Sequence, residues 1–209
     1  MYLILLSFLL GVKHSYDADH LLAVSGYLTK SSSLKQALKL GIYWAVGHMI
    51  TASVITILLF SIQESLLRSY LKSFEYVVGV MLIAISIYTL KDFVLFSKYG
   101  GLISKHKNKH QHETHEIKHH HKYLFGIGIV HGLASNDEIL LLLTISLGVV
   151  NIYGILACVS VFSLGVIAGM CIFVVAMTVP VLKSLKVKNL LTITAGVSSL
   201  VYGVLILAR

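Results

Sequence analysis

Long apolar runs separated by short polar breaks divide this chain along its whole length. They lie at about residues 2–28, 37–62, 74–96, 123–149, 152–182 and 189–208. About 20 apolar residues in a helix cross a hydrocarbon core of about 30 Å, and each run reaches that length. None alternates apolar and polar positions as a barrel strand does, and backbone groups in lipid must be paired within the segment. The pattern predicts an all-α, polytopic membrane protein with six transmembrane helices.

The composition excludes an ordinary soluble domain. Of the 209 residues, 56% are hydrophobic and 12% are charged, a balance typical of an integral membrane protein. Little polar sequence remains for a second domain, so we expect a single transmembrane domain. Its parts are a first half at 1–96, a polar connection at 97–122 and a second half at 123–209.

The formal net charge of +8 reflects topology and does not indicate binding of nucleic acid. The lysines lie beside the apolar runs and form no basic patch interleaved with aromatic residues. Thirteen of the 17 Lys and Arg residues fall in the first, third and fifth connections between the spans. Because cytoplasmic loops carry the excess of Lys and Arg, these odd connections are expected in the cytoplasm, with both termini outside the cell membrane.

The two halves of the chain resemble each other. Gly11–His14 recurs as Gly128–His131, and Trp44–Gly47 matches Phe162–Gly165. Gly79 and Gly196 each lie 65 residues after the matched histidine of their own half. Three spans per half is an odd number, so a duplicated second half enters the membrane from the opposite side. We therefore expect two inverted three-helix repeats, an architecture of secondary transporters that bind substrate near the midplane.

The first span carries four ionisable side chains within seven residues: His14, Asp17, Asp19 and His20. An unpaired charge at the bilayer centre costs about 3 kcal/mol, which a bound divalent cation would offset. A buried hydrogen-bonded cluster is the alternative. On an ideal helix, His14, Asp17 and His20 share a ridge while Asp19 points elsewhere. Either Asp19 orients a ligating imidazole, or the helix is locally irregular.

Two other spans carry polar groups that extend this candidate metal site. His48 follows Gly47 in the second span, and His131 opens a polar patch in the fourth span that continues with Asn136, Asp137 and Glu138. The two carboxylates of that patch are candidates for taking up and releasing protons. Imidazole with carboxylate suits first-row ions such as Ni²⁺, Co²⁺, Zn²⁺ and Fe²⁺.

The third connection is rich in histidine between Ser104 and Lys122. Its seven histidines are His106, His110, His112, His115, His119, His120 and His121. Low complexity without apolar residues predicts a disordered cytoplasmic segment. We expect it to be a weak, multidentate metal-binding loop; a solvated basic loop is the alternative.

Three motifs resemble those of the nickel/cobalt transporter family. Lys13–Leu21 is similar to its H-x4-D-H signature, and Tyr43–His48 resembles its F-x-x-G-H motif. Gly128–Ile139 resembles the corresponding motif of the six-helix, urease-accessory-type nickel permeases. The resemblance implies that His14, Asp19 and His20 form a metal site essential for transport, with His48 nearby.

These observations favour a secondary permease and not an enzyme. Its substrate is expected to be Ni²⁺, with Co²⁺ as a second candidate, and uptake is favoured over efflux. The expected partners are the transition-metal ion and the lipid bilayer, without nucleic acid and without a prosthetic group. Efflux of nickel and cobalt is one alternative. Another is an intramembrane haem or metal redox protein or enzyme, in which His48 and His131 face one plane. The preferred metal, the coupling ion and the oligomeric state are left open.

Overall fold

The computed structural model describes residues 2–61, 64–99, 113–134 and 152–208. Within these ranges every regular element is a helix. The helices are α1 (Tyr2–His14), α2 (Ala18–Leu28), α3 (Leu34–Ser61), α4 (Glu64–Tyr99), α5 (Glu113–Ala134), α6 (Ile152–Lys183) and α7 (Leu185–Leu207). Four segments are long and apolar enough to cross a membrane: Leu34–Ile55, Phe74–Lys91, Leu156–Lys183 and Leu185–Leu207. The predicted all-helical membrane protein is confirmed at this level, and the count of six spans stays a prediction.

The first apolar run is two helices and not one. After Ser15 the chain turns, with Tyr16 N 3.0 Å from Lys13 O and Asp17 N 3.1 Å from His14 O. Asp17 then adopts an extended backbone, with φ −63° and ψ 143°, and α2 begins at the next residue. Extended backbone is typical of a helix N-cap, but the Asp17 carboxylate makes no capping hydrogen bond and lies beside His14 Nδ1 instead. The ideal-helix ridge is therefore wrong, and the locally irregular alternative is correct.

The predicted disorder of the histidine-rich connection is wrong for its second part. Helix α5 begins at Glu113, so the backbone from there to Lys122 is helical and continues into the apolar run. An established helix extends more readily than a new one starts, so the neighbouring apolar run favours helical backbone in this polar segment. His106, His110 and His112 lie outside the described residues.

Helices α1 and α6 pack with their backbones in contact. Gly11 lies against the carbonyl of Phe162, and Gly165 lies against the carbonyl of Phe8; neither glycine has room for a Cβ atom. Small residues allow such close approach between helices in membranes, where van der Waals packing drives association.

Helices α3 and α5 pack in the same way. Gly128 lies against the carbonyl of Trp44, and Gly47 lies against the carbonyl of Phe125, again without room for a Cβ atom. A third pair, α4 with α7, has Gly79 and Gly203 face to face, and Ser86 Oγ donates a 2.7 Å hydrogen bond to Gly196 O.

The short helix α2 is attached to these pairs by polar contacts. Lys30 Nζ, just beyond its C-terminal end, donates to Tyr88 O at 3.3 Å and lies 3.2 Å from the centroid of the Tyr88 ring. Gly26 packs against the side chain of Thr89. These contacts with α4 fix the helix that carries Asp19 and His20.

Candidate metal centre

Four imidazoles meet in the interior of the bundle, each from a different helix. His14 ends α1, His20 lies in the first turn of α2, His48 lies within α3, and His131 is near the end of α5. Their exposed fractions are 0–1%. The break after His14 lets two histidines six residues apart reach the same point. Because a buried polar group is costly without a partner, four imidazoles placed here indicate a binding site.

The ligating nitrogens of three histidines converge. His14 Nε2 lies 3.3 Å from His48 Nε2. One nitrogen from each of His14, His20 and His48 falls within a group whose atoms are all within 4.8 Å of one another. A tetrahedral metal ion with bonds of about 2.1 Å holds its donor atoms about 3.4 Å apart. The 3.3 Å between His14 Nε2 and His48 Nε2 matches this spacing, and the nitrogen of His20 lies within 4.8 Å of both.

Three imidazoles have an acceptor behind them. His14 Nδ1 lies 2.9 Å from Asp17 Oδ2, His20 Nδ1 lies 2.9 Å from His14 O, and His131 Nδ1 lies 3.1 Å from Ile127 O. His20 and His131 donate from Nδ1 to these carbonyl oxygens, which leaves the Nε2 lone pair available, and the Asp17 carboxylate favours the proton of His14 on Nδ1 in the same way. Metal-ligating histidines almost always show this arrangement, which fixes both the tautomer and the ring orientation.

The two aspartates of the first motif have different places. Asp19 Oδ2 lies 3.9 Å from His20 Nε2 and 3.9 Å from His131 Nε2, so this carboxylate faces the centre. Asp17 lies behind His14, and its Oδ1 is 3.7 Å from Lys13 Nζ. Ideal-helix geometry put Asp17 on one ridge with His14 and His20, and it left Asp19 either as a residue that orients an imidazole or as part of an irregular helix. Because the helix breaks before Ala18, the side chains of α2 start at a new rotation about the helix axis, and Asp19 faces the centre.

Aromatic rings line the centre, and the sequence reasoning missed their role. Trp44 is fully buried, and its ring stacks on His48 with centroids 5.2 Å apart and planes 15° apart. Phe162 lies 5.5 Å from the ring of His14. Both residues open the repeated motifs at Trp44–Gly47 and Phe162–Gly165, which was the available signal.

Part of the predicted second polar site is not described. His131 is in the centre, whereas Asn136, Asp137 and Glu138 lie outside the described residues. The backbone of His115, His119, His120 and His121 belongs to α5, and their side chains are not described.

A bundle of apolar helices with buried imidazoles and a carboxylate at its centre is typical of a membrane protein with a functional polar site, and donors of these types suit a transition-metal ion. Residues 1–135, more than half of the chain, match the family described as high-affinity nickel-transport protein (NicO), and the chain belongs to this family.

The chain is also similar to a known protein along nearly its whole length. The urease accessory protein UreH of Bacillus sp. (strain TB-90) is 28% identical over 207 residues, which cover 95% of this chain and 87% of the relative. No solved structure matches the chain. The predicted resemblance is confirmed, and membership of a transporter family excludes the haem or redox enzyme alternative.

Proposed function

We propose that this chain is a permease that carries Ni²⁺ across the cell membrane through the centre formed by His14, His20, His48 and Asp19. The observation that carries the proposal is the convergence of one ring nitrogen from each of three buried histidines within 4.8 Å. Family membership supports nickel as the substrate. Co²⁺ is a second substrate, because the same imidazole and carboxylate donors suit it.

The fourth imidazole extends the centre to the second half of the chain. His131 Nε2 lies 3.9 Å from Asp19 Oδ2, so the polar patches of the two halves meet at one carboxylate. The ion is held first by the three converging imidazoles and then shared with Asp19 and His131. Asn136, Asp137 and Glu138 follow His131 in the sequence, and we propose the two carboxylates among them for uptake and release of protons.

Repeated contacts support two inverted three-helix repeats. Gly11 touches the carbonyl of Phe162, and Gly128 touches the carbonyl of Trp44. Gly11 and Gly128 are matched positions of the two halves, and so are Trp44 and Phe162. Exchanging the halves therefore converts the first of these contacts into the second. The contacts of Gly165 with Phe8 and of Gly47 with Phe125 repeat this exchange. A pseudo-two-fold axis through the centre produces such pairs.

These contacts also indicate which helices move together. Tight backbone packing couples α1 to α6 and α3 to α5, so each unit contains one helix from each half. The ligands are divided between the units, with His14 on the first and His48 and His131 on the second. The centre opens when the two units separate by a hinge or shear motion. Within each unit, the contact between its helix from the first half and its helix from the second half is kept.

Orientation and direction follow from charge. The odd connections, including the histidine-rich one, lie in the cytoplasm, and both termini lie outside. The seven loop histidines bind metal weakly at the cytoplasmic side. A membrane potential negative inside contributes about 2.3 kcal/mol per unit charge per 100 mV, twice that for a divalent ion, and drives uptake.

Transport by purified protein in liposomes tests the proposal. With a nickel-sensitive dye inside and a potential negative inside, the parent protein is expected to accumulate Ni²⁺, and His14→Ala and His48→Ala are expected not to. Gly126→Ala is the matched control, because a Cβ atom at Gly126 meets nothing within 4 Å. Unchanged uptake by both histidine variants would refute the assignment of the centre. In cells, expression of an importer is expected to make growth more sensitive to high nickel. Protection of growth by the protein would indicate efflux and would contradict uptake.

A further inference from the structure

Trp44 contacts three of the four imidazoles of the centre. Besides the parallel stack on His48, its ring lies edge-on to His20 at 5.0 Å and to His131 at 5.8 Å. It is fully buried, and it is the sole tryptophan of the chain.

His48 differs from the other three imidazoles in what lies behind it. His20 and His131 each make a hydrogen bond from Nδ1 to a carbonyl oxygen, and His14 Nδ1 lies 2.9 Å from a carboxylate oxygen of Asp17. His48 Nδ1 is buried and has no hydrogen-bond partner among the described residues. The χ2 torsion of histidine has a broad and roughly two-fold energy profile. Without an acceptor, the His48 ring therefore needs another contact to keep Nε2 directed at the centre.

We infer that Trp44 is the positioning residue for His48. Its ring face, 15° from the plane of the imidazole, restricts rotation of that ring and keeps Nε2 3.3 Å from His14 Nε2. The indole thus takes the place that a carbonyl acceptor takes for His20 and His131 and that the Asp17 carboxylate takes for His14. This inference rests on the proposed nickel site and specifies how one of its ligands is held.

Phe162 provides a matched comparison. It contacts His14 at 5.5 Å and occupies the position in the second half that corresponds to Trp44. His14, however, is also held by Asp17 Oδ2 at 2.9 Å from Nδ1. Loss of the aromatic ring is therefore expected to matter more at Trp44 than at Phe162.

The test compares Ni²⁺ affinity and coordination in Trp44→Leu, Trp44→Phe and Phe162→Leu. Removing a group that orients a metal ligand typically weakens metal binding by about 10- to 100-fold, and we expect this loss for Trp44→Leu. Trp44→Phe keeps a stacking ring and is expected to bind within a few-fold of the parent. Phe162→Leu is also expected to stay within a few-fold. X-ray absorption of the nickel-loaded Trp44→Leu protein should show fewer ordered imidazoles.

A double-mutant cycle separates positioning from general packing. If Trp44 acts through His48, Trp44→Leu is expected to weaken Ni²⁺ binding in the parent and to add nothing when His48 is already alanine. An equal loss in both backgrounds would overturn the inference. Trp44→Met, which fills the space flexibly, replaces Trp44→Leu if the latter does not fold.

The outcomes distinguish this inference from the proposed function. If the parent protein does not bind Ni²⁺, the proposed function fails. If the parent binds Ni²⁺ and Trp44→Leu and Trp44→Met bind it equally well with the same number of imidazoles, only the role of Trp44 fails.

Discussion

His14 and His48 are 34 residues apart in sequence, and their Nε2 atoms are 3.3 Å apart in the core. This contact joins the α1–α6 unit to the α3–α5 unit at the place where both are buried. The same pair is a hydrogen bond when one nitrogen carries a proton and a chelating pair when neither does. The protonation of these two imidazoles therefore decides whether they hydrogen-bond to each other or are both available to bind a metal ion.

Removal of either histidine is expected to abolish high-affinity binding. Loss of an orienting group alone costs about 10- to 100-fold in metal affinity, so loss of a ligand in His14→Ala or His48→Ala should cost about 100-fold or more. Equilibrium binding of Ni²⁺ to purified protein measures this. The folded state is checked by size-exclusion profile, and retention of parent affinity by a folded variant would contradict the ligand assignment.

The two aspartates should respond differently. Asp19→Asn replaces a charged carboxylate that faces both His20 and His131 with a neutral amide, which is a much weaker ligand, so the nickel coordination seen by X-ray absorption should lose its carboxylate oxygen donor. Asp17→Asn keeps an oxygen acceptor near His14 Nδ1 and should leave the coordination unchanged, with a loss in affinity below about 10-fold. If Asp17→Asn lost the oxygen donor and Asp19→Asn kept it, Asp17 and not Asp19 would be the ligand.

Two glycines of α5 make a pair that tests the helix crossing. Gly128→Ala places a methyl group against the carbonyl of Trp44 and should destabilise the protein by about 1–3 kcal/mol, the usual cost of overpacking. Gly126 has nothing within 4 Å of its missing Cβ, so Gly126→Ala should be neutral or should stabilise by roughly 0.5–1 kcal/mol. Thermal unfolding in detergent reports both. Equal melting temperatures would show that α3 and α5 do not touch here.

A cross-link tests which helices move. The Cβ position of Gly41 on α3 lies 3.9 Å from Val174 Cβ on α6, within the range of a disulfide. In a background where Cys158 and Cys171 are serine, oxidation of the Gly41→Cys, Val174→Cys protein should stop Ni²⁺ transport, and reduction should restore it. Full transport by the oxidised, cross-linked protein would rule out separation of the two units at this contact.

The candidate ligands could be predicted from sequence because ionisable residues in apolar spans are costly. His14, His20 and His48 stand out for that reason alone. The choice between Asp17 and Asp19 could not be made, because the residue at which a helix breaks is decided by turn hydrogen bonds at Ser15–Asp17 that periodicity does not contain. Trp44 was also out of reach, because stacking on His48 depends on rotamers within one turn of α3.

The fold was predictable to a similar extent. Apolar runs located the helices of the membrane bundle, and the repeated motifs marked the glycines at which they cross. The start of α5 at Glu113 was not predicted, because composition favours disorder there and the helix is extended from the neighbouring apolar segment. Which helices pair across the halves is a property of tertiary packing and not of any single segment.

Fluorescence of Trp44 tests the central claim most directly, because it is the sole tryptophan and its ring lies 5.2 Å from that of His48. Paramagnetic Ni²⁺ bound at the centre should quench its emission saturably, with one ion per chain. A variant with the seven loop histidines replaced by glutamine should behave like the parent, and the His14→Ala, His48→Ala double variant should show no saturable quenching. Absence of saturable quenching in the parent, or undiminished quenching in the double variant, would contradict a nickel site at these histidines.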